Sequence, residues 1–155
     1  MHGVNRRRWI GGGLLAGLVL NLAHALAEGL TRREQQRMLE RLGLSAPGEE
    51  AMVAVALGGF VVGLVAVWIY AAIRARYGGG TGTALRAAAA VWILICLFPN
   101  SALLAYGVFS PEYFGLALVM DLIIVPAGTL VGAWVYREDP GFDLVGHADA
   151  VHARA

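Results

Sequence analysis

Four apolar stretches, each about as long as a membrane-spanning helix, constrain the fold of this chain more than any other feature. A helix needs roughly 20 apolar residues to cross the hydrocarbon core of a bilayer. The stretches lie at residues 9–30, 51–73, 87–107 and 114–136. Because 58% of the 155 residues are hydrophobic and only 15% are charged, a soluble domain would lack charged surface. We therefore predict an all-α integral membrane four-helix bundle in residues 1–137.

Two segments outside the spans have their own predicted structures. Residues 138–155 are polar and small, which favours a disordered cytoplasmic tail. The connection between the first two spans begins with Thr31-Arg32-Arg33-Glu34, a capping-box pattern in which Thr31 would be the N-cap of a new helix. A short amphipathic helix would then run to Leu42 and either lie on the outer membrane surface or cover the bundle. The alternative is a solvated connector.

The distribution of arginine predicts the orientation of the spans, because loops on the cytoplasmic side are enriched in basic residues. Eight arginines fall on the side of the two termini: Arg6, Arg7, Arg8, Arg74, Arg76, Arg86, Arg137 and Arg154. Four others argue against this orientation, because they lie in the first connection, on the opposite side: Arg32, Arg33, Arg37 and Arg41. The majority places both termini in the cytoplasm.

The first span also has features of a twin-arginine export signal. Arg6, Arg7 and Arg8 precede a glycine-rich apolar core, and Ala25-Leu26-Ala27 stands before Glu28 as a possible cleavage site. Cleavage there would leave three spans. An uncleaved anchor is favoured, because the apolar stretch runs to full membrane length and three strong spans follow it.

Polar side chains within the spans are the candidate functional residues. They are Asn21, His24 and Glu28 on the first span, Asn100 on the third and Asp121 on the fourth. An ionised side chain in hydrocarbon costs at least about 2.5–3.5 kcal/mol, so such residues usually face a bundle interior or a wet cavity. The helical rise of 1.5 Å per residue places His24, Asn100 and Asp121 at nearly one depth, on the outer side of the membrane midplane. We predict that they form one polar cluster, with Glu28 nearer the outer surface.

Glycine pairs four residues apart predict where the helices meet. The pairs are Gly13 and Gly17, Gly59 and Gly63, and Gly128 and Gly132. Such pairs let two membrane helices approach closely. The first and fourth spans each carry glycines and polar residues on one stripe, so we predict that these two helices pack directly along the stripes. A homodimer that uses one stripe against its own copy is the alternative.

Two prolines interrupt the spans. Pro99 and Pro126 each lack a backbone N–H, so they predict kinks and free the carbonyl groups of Ile95 and Leu122. Freed carbonyls beside Asn100 and Asp121 would suit an ion or substrate site. The alternative is a proline tolerated within the membrane, where neighbouring groups satisfy the backbone.

Several classes of function lack support in the sequence. A net charge of +1 argues against a nucleic-acid partner. No metal-ligand spacing, phosphate-binding loop or dinucleotide fingerprint is present, and His147 and His152 alone are weak evidence for a metal. Cys96 is the single cysteine, and Ser101 and Ser110 lack a convincing catalytic base. We therefore predict neither an enzyme nor a cofactor.

The arrangement of the spans also resembles a known group. Four short spans, a small outer helix after the first, and the closing sequence Gly132-Ala133-Trp134-Val135-Tyr136-Arg137-Glu138 resemble small uncharacterised bacterial integral membrane proteins. The resemblance covers residues 8–138. It implies a membrane location and no assigned activity.

Two functions remain open from the sequence. The first is an accessory subunit, scaffold or homo-oligomer, which contacts the lipid bilayer and other membrane proteins and uses the polar cluster as interhelical glue. The second is transport of protons, ions or a small solute, with a relay from Glu28 through His24 and Asp121. No polar path to the cytoplasm follows Asp121, because glycines continue both stripes on that side.

Overall fold

The computed structural model describes residues 5–136, and these form an all-α bundle. The helices are α1 (Arg6–Leu42), α2 (Glu49–Tyr77), α3 (Thr81–Val91), α4 (Phe98–Ala105) and α5 (Pro111–Val135), with a π-helical turn at Trp92–Leu97 between α3 and α4. Four helical units are long and apolar enough to cross a membrane, with α3, the π-turn and α4 together forming the third. The predicted four-helix fold is thus confirmed. The predicted tail at 138–155, with His147 and His152, lies outside the described residues.

The first helix is much longer than the predicted span at 9–30. Asn5 caps its start by accepting a hydrogen bond from the Arg8 backbone N–H, and Gly43 ends it in the left-handed conformation, at φ 65°. At 1.5 Å per residue its 37 residues extend for about 55 Å. Residues 31–42 are therefore a projecting end of α1.

The prediction of a separate amphipathic helix with Thr31 as its N-cap was wrong. The Thr31 hydroxyl instead donates to the Glu28 carbonyl oxygen one turn earlier, at 3.3 Å, and α1 continues through this point without interruption. Residues 31–42 are mostly Arg, Glu, Gln and Leu, which are good helix formers. With no proline or turn before Gly43, the first span simply propagates into them.

The third span changes its winding at its centre. The Phe98 N–H donates to the Ile93 carbonyl oxygen, five residues back, which is the hydrogen-bond spacing of a π-helix. Pro99 follows directly and occupies the first turn of α4, where a missing N–H is tolerated. By contrast, Pro126 lies inside α5, which stays helical on both sides. The kink at Pro126 remains a prediction.

The bundle divides into two halves that are packed very differently. The packed half contains every buried residue of α1, α2, α3 and α5, from Gly12 to Leu20, Gly63 to Tyr70, Thr83 to Val91 and Ile124 to Ala133. The cleft half comprises residues 21–62 and 98–123, none of which is buried. In the packed half α3 contacts both α2 and α5, whereas among residues 5–136 α4 contacts α5 but neither α1 nor α2. In the cleft half the third span therefore stays beside α5 but moves away from α1 and α2.

The sequence predicted that the glycine pairs of α1 and α5 face each other, and this prediction was wrong. A Cβ at Gly13 would lie 2.7 Å from the Leu64 Cα atom, and one at Gly17 would lie 2.6 Å from the Phe60 Cα atom. Both of these neighbours are on α2. A Cβ at Gly63 would in turn collide with the Gly17 backbone nitrogen. The glycines of α1 therefore form the contact with α2.

The contact between α1 and α5 uses the neighbouring row of α1. A Cβ at Gly132 would lie 2.7 Å from the Gly12 carbonyl oxygen, and one at Gly128 would lie 2.9 Å from the Leu20 side chain. Gly12, Ala16 and Leu20 follow each other at four-residue intervals, and His24 continues this row into the cleft half. The helices therefore pair as predicted, with the glycine part of the α1 stripe assigned to the wrong neighbour.

Aromatic side chains close the end of the packed half that lies away from the cleft, which we call the aromatic end. The Tyr136 hydroxyl accepts a hydrogen bond from the Asn5 backbone N–H at 3.3 Å. The rings of Tyr70 and Tyr136 meet edge to face, with centroids 6.1 Å apart, and the Arg74 guanidinium lies 6.0 Å from the Tyr136 ring centre. The Trp9 indole donates to a carbonyl oxygen of α2 at 2.8 Å. These contacts tie the ends of α1, α2 and α5 together.

Candidate functional site

His24 and Asp121 form a direct contact between α1 and α5 at the border between the two halves. The distance from His24 Nε2 to Asp121 Oδ1 is 2.9 Å. The His24 side chain is 52% exposed, whereas that of Asp121 is 15% exposed. Asp121 is therefore the inner partner and His24 the outer one.

The hydrogen bonds of His24 determine how many protons the pair holds. His24 Nδ1 lies 2.9 Å from the Leu20 carbonyl oxygen, which can only accept, so Nδ1 carries a hydrogen. A second proton must lie between Nε2 and the carboxylate, bound either to the ring or to Asp121. The pair thus shares one exchangeable proton, and its direct hydrogen bond is lost when that proton leaves.

An open cleft of about 250 Å³ surrounds the pair. It is lined by α1, α4, α5 and the connection between α4 and α5. The lining residues are His24, Ala27, Glu28, Thr31, Asn100, Phe109, Tyr113, Ala117, Met120 and Asp121. Four of the five predicted cluster residues, from three spans, therefore meet in one cavity.

Asn21 is the predicted cluster residue that lies elsewhere. Its side-chain Nδ2 donates to the Ala56 carbonyl oxygen on α2 and to the Gly17 carbonyl oxygen on α1, both at 3.0 Å. Gly59 makes room for it, since a Cβ at that position would lie 2.5 Å from Asn21 Oδ1. Asn21 therefore joins α1 to α2 and has no place in the cleft.

Asn100 differs from Asn21 in what its amide contacts. It lies on α4 and lines the cleft, and within residues 5–136 its side chain makes no hydrogen bond. One turn on, the Ser101 hydroxyl donates to the Leu97 carbonyl oxygen at 2.7 Å. Ser101 thus satisfies the local backbone, while the Asn100 amide remains available to an occupant of the cleft.

The sequence reasoning missed the aromatic side of the cleft. Tyr113, Ala117 and Asp121 are spaced by four residues, which places them on one face of α5. That spacing was a usable signal for Tyr113. Phe109 packs edge to face against Tyr113 with ring centroids 4.7 Å apart, and because Phe109 lies in a loop no periodic pattern marks it.

Arg41 holds this loop in place from the projecting end of α1. Its Nη2 atom donates to the carbonyl oxygens of Gly107 and Val108, at 3.2 Å and 2.6 Å. Phe109 follows directly, so the arginine fixes the segment that forms one side of the cleft. Arg37, one turn earlier, forms an ion pair with Glu34 at 2.6 Å. Two of the four dissenting arginines therefore have contacts within the chain.

The part of the chain that the structure describes offers no group of three residues able to hold a metal ion. Cys96 is buried in the π-turn. The polar groups of the cleft can donate and accept hydrogen bonds and can share a proton. These are the properties of a binding site or a structural contact.

Comparisons with protein-family models, curated proteins and solved structures find no match to this chain. The resemblance to small bacterial four-span membrane proteins therefore stays a prediction.

Proposed function

We propose that this multi-pass membrane protein is an accessory or homo-oligomeric subunit, and that its cleft is a blind pocket with no conducting path. In this proposal the protein is not an enzyme and needs no cofactor. Its partners are the lipid bilayer and other membrane proteins, including further copies of itself.

The closed floor of the cleft carries the proposal. Directly beyond Asp121, the side chains of Leu20, Ile124 and Val125 are buried, and Gly128 lies against Leu20. A proton or ion that reached Asp121 would meet closely packed apolar side chains there. Transport would require the packed half of the bundle to separate.

His24 and Asp121, which we call the polar pair, have a structural role in this proposal. His24 is the next member of the α1 row that contacts α5, after Gly12, Ala16 and Leu20. A hydrogen bond between membrane helices contributes about 0.6–2 kcal/mol. The pair therefore sets the register of α1 against α5 where the glycine contacts end.

A location in the bacterial inner membrane, with the termini in the cytoplasm, belongs to the same proposal. Among residues 5–136, six arginines lie at the aromatic end and four at the cleft end, which favours a cytoplasmic aromatic end. Arg41 and Arg37 of the smaller group have partners at the cleft end. The cleft would then open towards the outer face of the membrane.

Labelling of single cysteines tests the orientation. In a Cys96→Ala background, we compare Ser45→Cys, between α1 and α2, with Gly79→Cys, between α2 and α3. The proposal expects a membrane-impermeant maleimide to label Ser45→Cys in intact spheroplasts, and Gly79→Cys only after lysis. The reverse pattern would contradict the proposed orientation.

Proton and cation flux tests the blind cleft. We would reconstitute wild type, His24→Ala and Asp121→Asn into liposomes at matched density and apply a pH jump. The expected result is no flux above empty liposomes for any of the three, together with lower thermal stability of both variants. Flux in wild type that both variants abolish would instead identify a transporter with the polar pair in its path. That alternative is favoured only by the shared proton of the pair.

A further inference from the structure

The side chains that line the cleft carry more negative than positive charge. Two carboxylates, Glu28 and Asp121, line it, and His24 is the one lining side chain that can carry positive charge. No arginine is among the lining residues, and Arg41 directs its guanidinium to loop carbonyl groups. With His24 protonated, the cleft therefore keeps an excess of one negative charge.

The aromatic side of the cleft adds a second attraction for cations. Phe109 and Tyr113 both line it, and their edge-to-face contact holds the rings at 70° to each other. The faces of aromatic rings attract ammonium groups, with a larger gain where water is partly excluded. The unbonded Asn100 amide offers a carbonyl oxygen as a further acceptor.

The opening of the bundle determines what kind of cation can reach the cleft. In this half, among residues 5–136, α4 makes no close backbone contact with α1 or α2, so the cleft has an open side between α1 and α4, which we call the gap beside α4. A hydrated inorganic ion could reach the charged groups from the outer face but would leave this gap unfilled, whereas an alkyl chain would fill it. The gap thus suits a molecule with a charged head and an apolar tail.

We propose that the cleft binds a cationic amphiphile, with its ammonium head between Glu28, Asp121 and the rings of Phe109 and Tyr113. Its alkyl tail lies in the gap beside α4. The inference names a ligand class for the cleft of the proposed function and rests on that function only for the closed floor. Binding and flux are measured separately, so either can fail while the other stands.

Native mass spectrometry of the full chain in a nonionic detergent tests this proposal. The probes are decyltrimethylammonium and decyl sulfate, which share a tail and differ in charge. We expect saturable binding of one decyltrimethylammonium per chain and no specific binding of decyl sulfate. Glu28→Gln should weaken binding about tenfold, since one close charge is removed. Glu112→Gln, at the start of α5 and outside the cleft, should bind as wild type does.

Phe109→Leu separates the contribution of the ring from that of the charge, and it should weaken binding about threefold. Equal binding of both probes would overturn the proposal, because the tail alone would then explain it. Equal affinity of Glu28→Gln and Glu112→Gln would also overturn it. Both glutamates are exposed in the chain, so neither substitution endangers the fold.

Discussion

The two halves of this bundle show how the side chains on a membrane helix decide the distance to its neighbours. In the packed half, glycine and alanine let the backbones of α1, α2 and α5 come into contact. In the cleft half the same helices carry no buried residue, and α4 has separated from α1 and α2. Close glycine contacts thus hold the packed half, and His24, Asn100 and Asp121 line the space that opens beyond them.

Substitution of the central glycine of the packed half should have the largest effect. A Cβ at Gly63 would collide with the Gly17 backbone, so Gly63→Ala should lower the free energy of unfolding by about 2–3 kcal/mol. Gly58→Ala is the matched control, because nothing lies within 4 Å of its added methyl group. Denaturation in detergent micelles measures both. Equal stability of the two variants would show that α1 and α2 are not in close backbone contact at Gly63.

Replacement of Asn21 should lower stability more than replacement of Asn100. Asn21 donates to two backbone carbonyls, so Asn21→Ala should cost about 1 kcal/mol of unfolding free energy. Asn100→Ala should cost close to nothing, since its amide makes no hydrogen bond among residues 5–136. The same unfolding assay compares the stability of the two variants. A larger loss for Asn100→Ala would mean that the cleft is a structural core.

Removal of the carboxylate of the polar pair should have an intermediate effect. Asp121→Leu leaves His24 Nε2 without a partner and should cost about 1 kcal/mol, a modest figure because His24 is half exposed. Asp121→Asn can keep one hydrogen bond and should cost less. If Asp121→Leu proves as stable as wild type, the pair does not set the register of α1 and α5.

Loss of the Arg41 contact should have the smallest effect on stability and a clear local one. Arg41→Gln removes the two hydrogen bonds to Gly107 and Val108 and should cost about 0.5 kcal/mol. Backbone amides of residues 106–110 should exchange hydrogen faster, while those of the packed half should not change. Arg33→Gln, on the same projecting end, is the control. Unchanged exchange in the loop would show that Arg41 does not hold it.

The sequence predicted the helices well because apolar length alone determines them. It also placed His24, Asn100 and Asp121 at nearly one depth, with Glu28 nearer the outer surface, since helical rise is constant. The sequence could not show which helix each glycine row contacts. Gly13 and Gly17 lie on the row next to Gly12 and Ala16, and the residues of both rows are small enough for close contact. Adjacent positions differ by only about 100° around the helix, and tertiary contacts decide between them.

Local rules misled where a stronger local tendency competed with them. The Thr31-to-Glu34 pattern is a good helix start, but a helix that is already formed propagates through it. The π-turn before Pro99 could not be read from the sequence either, because a missing N–H can be accommodated by a kink or by wider winding. Phe109 was missed because loops have no periodicity.

The continuity of α1 makes it a strut that is fixed at both ends. Asn5 anchors one end to Tyr136, and Arg41 anchors the other to the loop before α5. His24 stands at the midpoint between Arg6 and Leu42, roughly 27 Å from either end. Between these anchors, residues 12–20 are held against α2 and α5. A load on the projecting end is therefore felt first where this close contact ends, at the bond between His24 and Asp121.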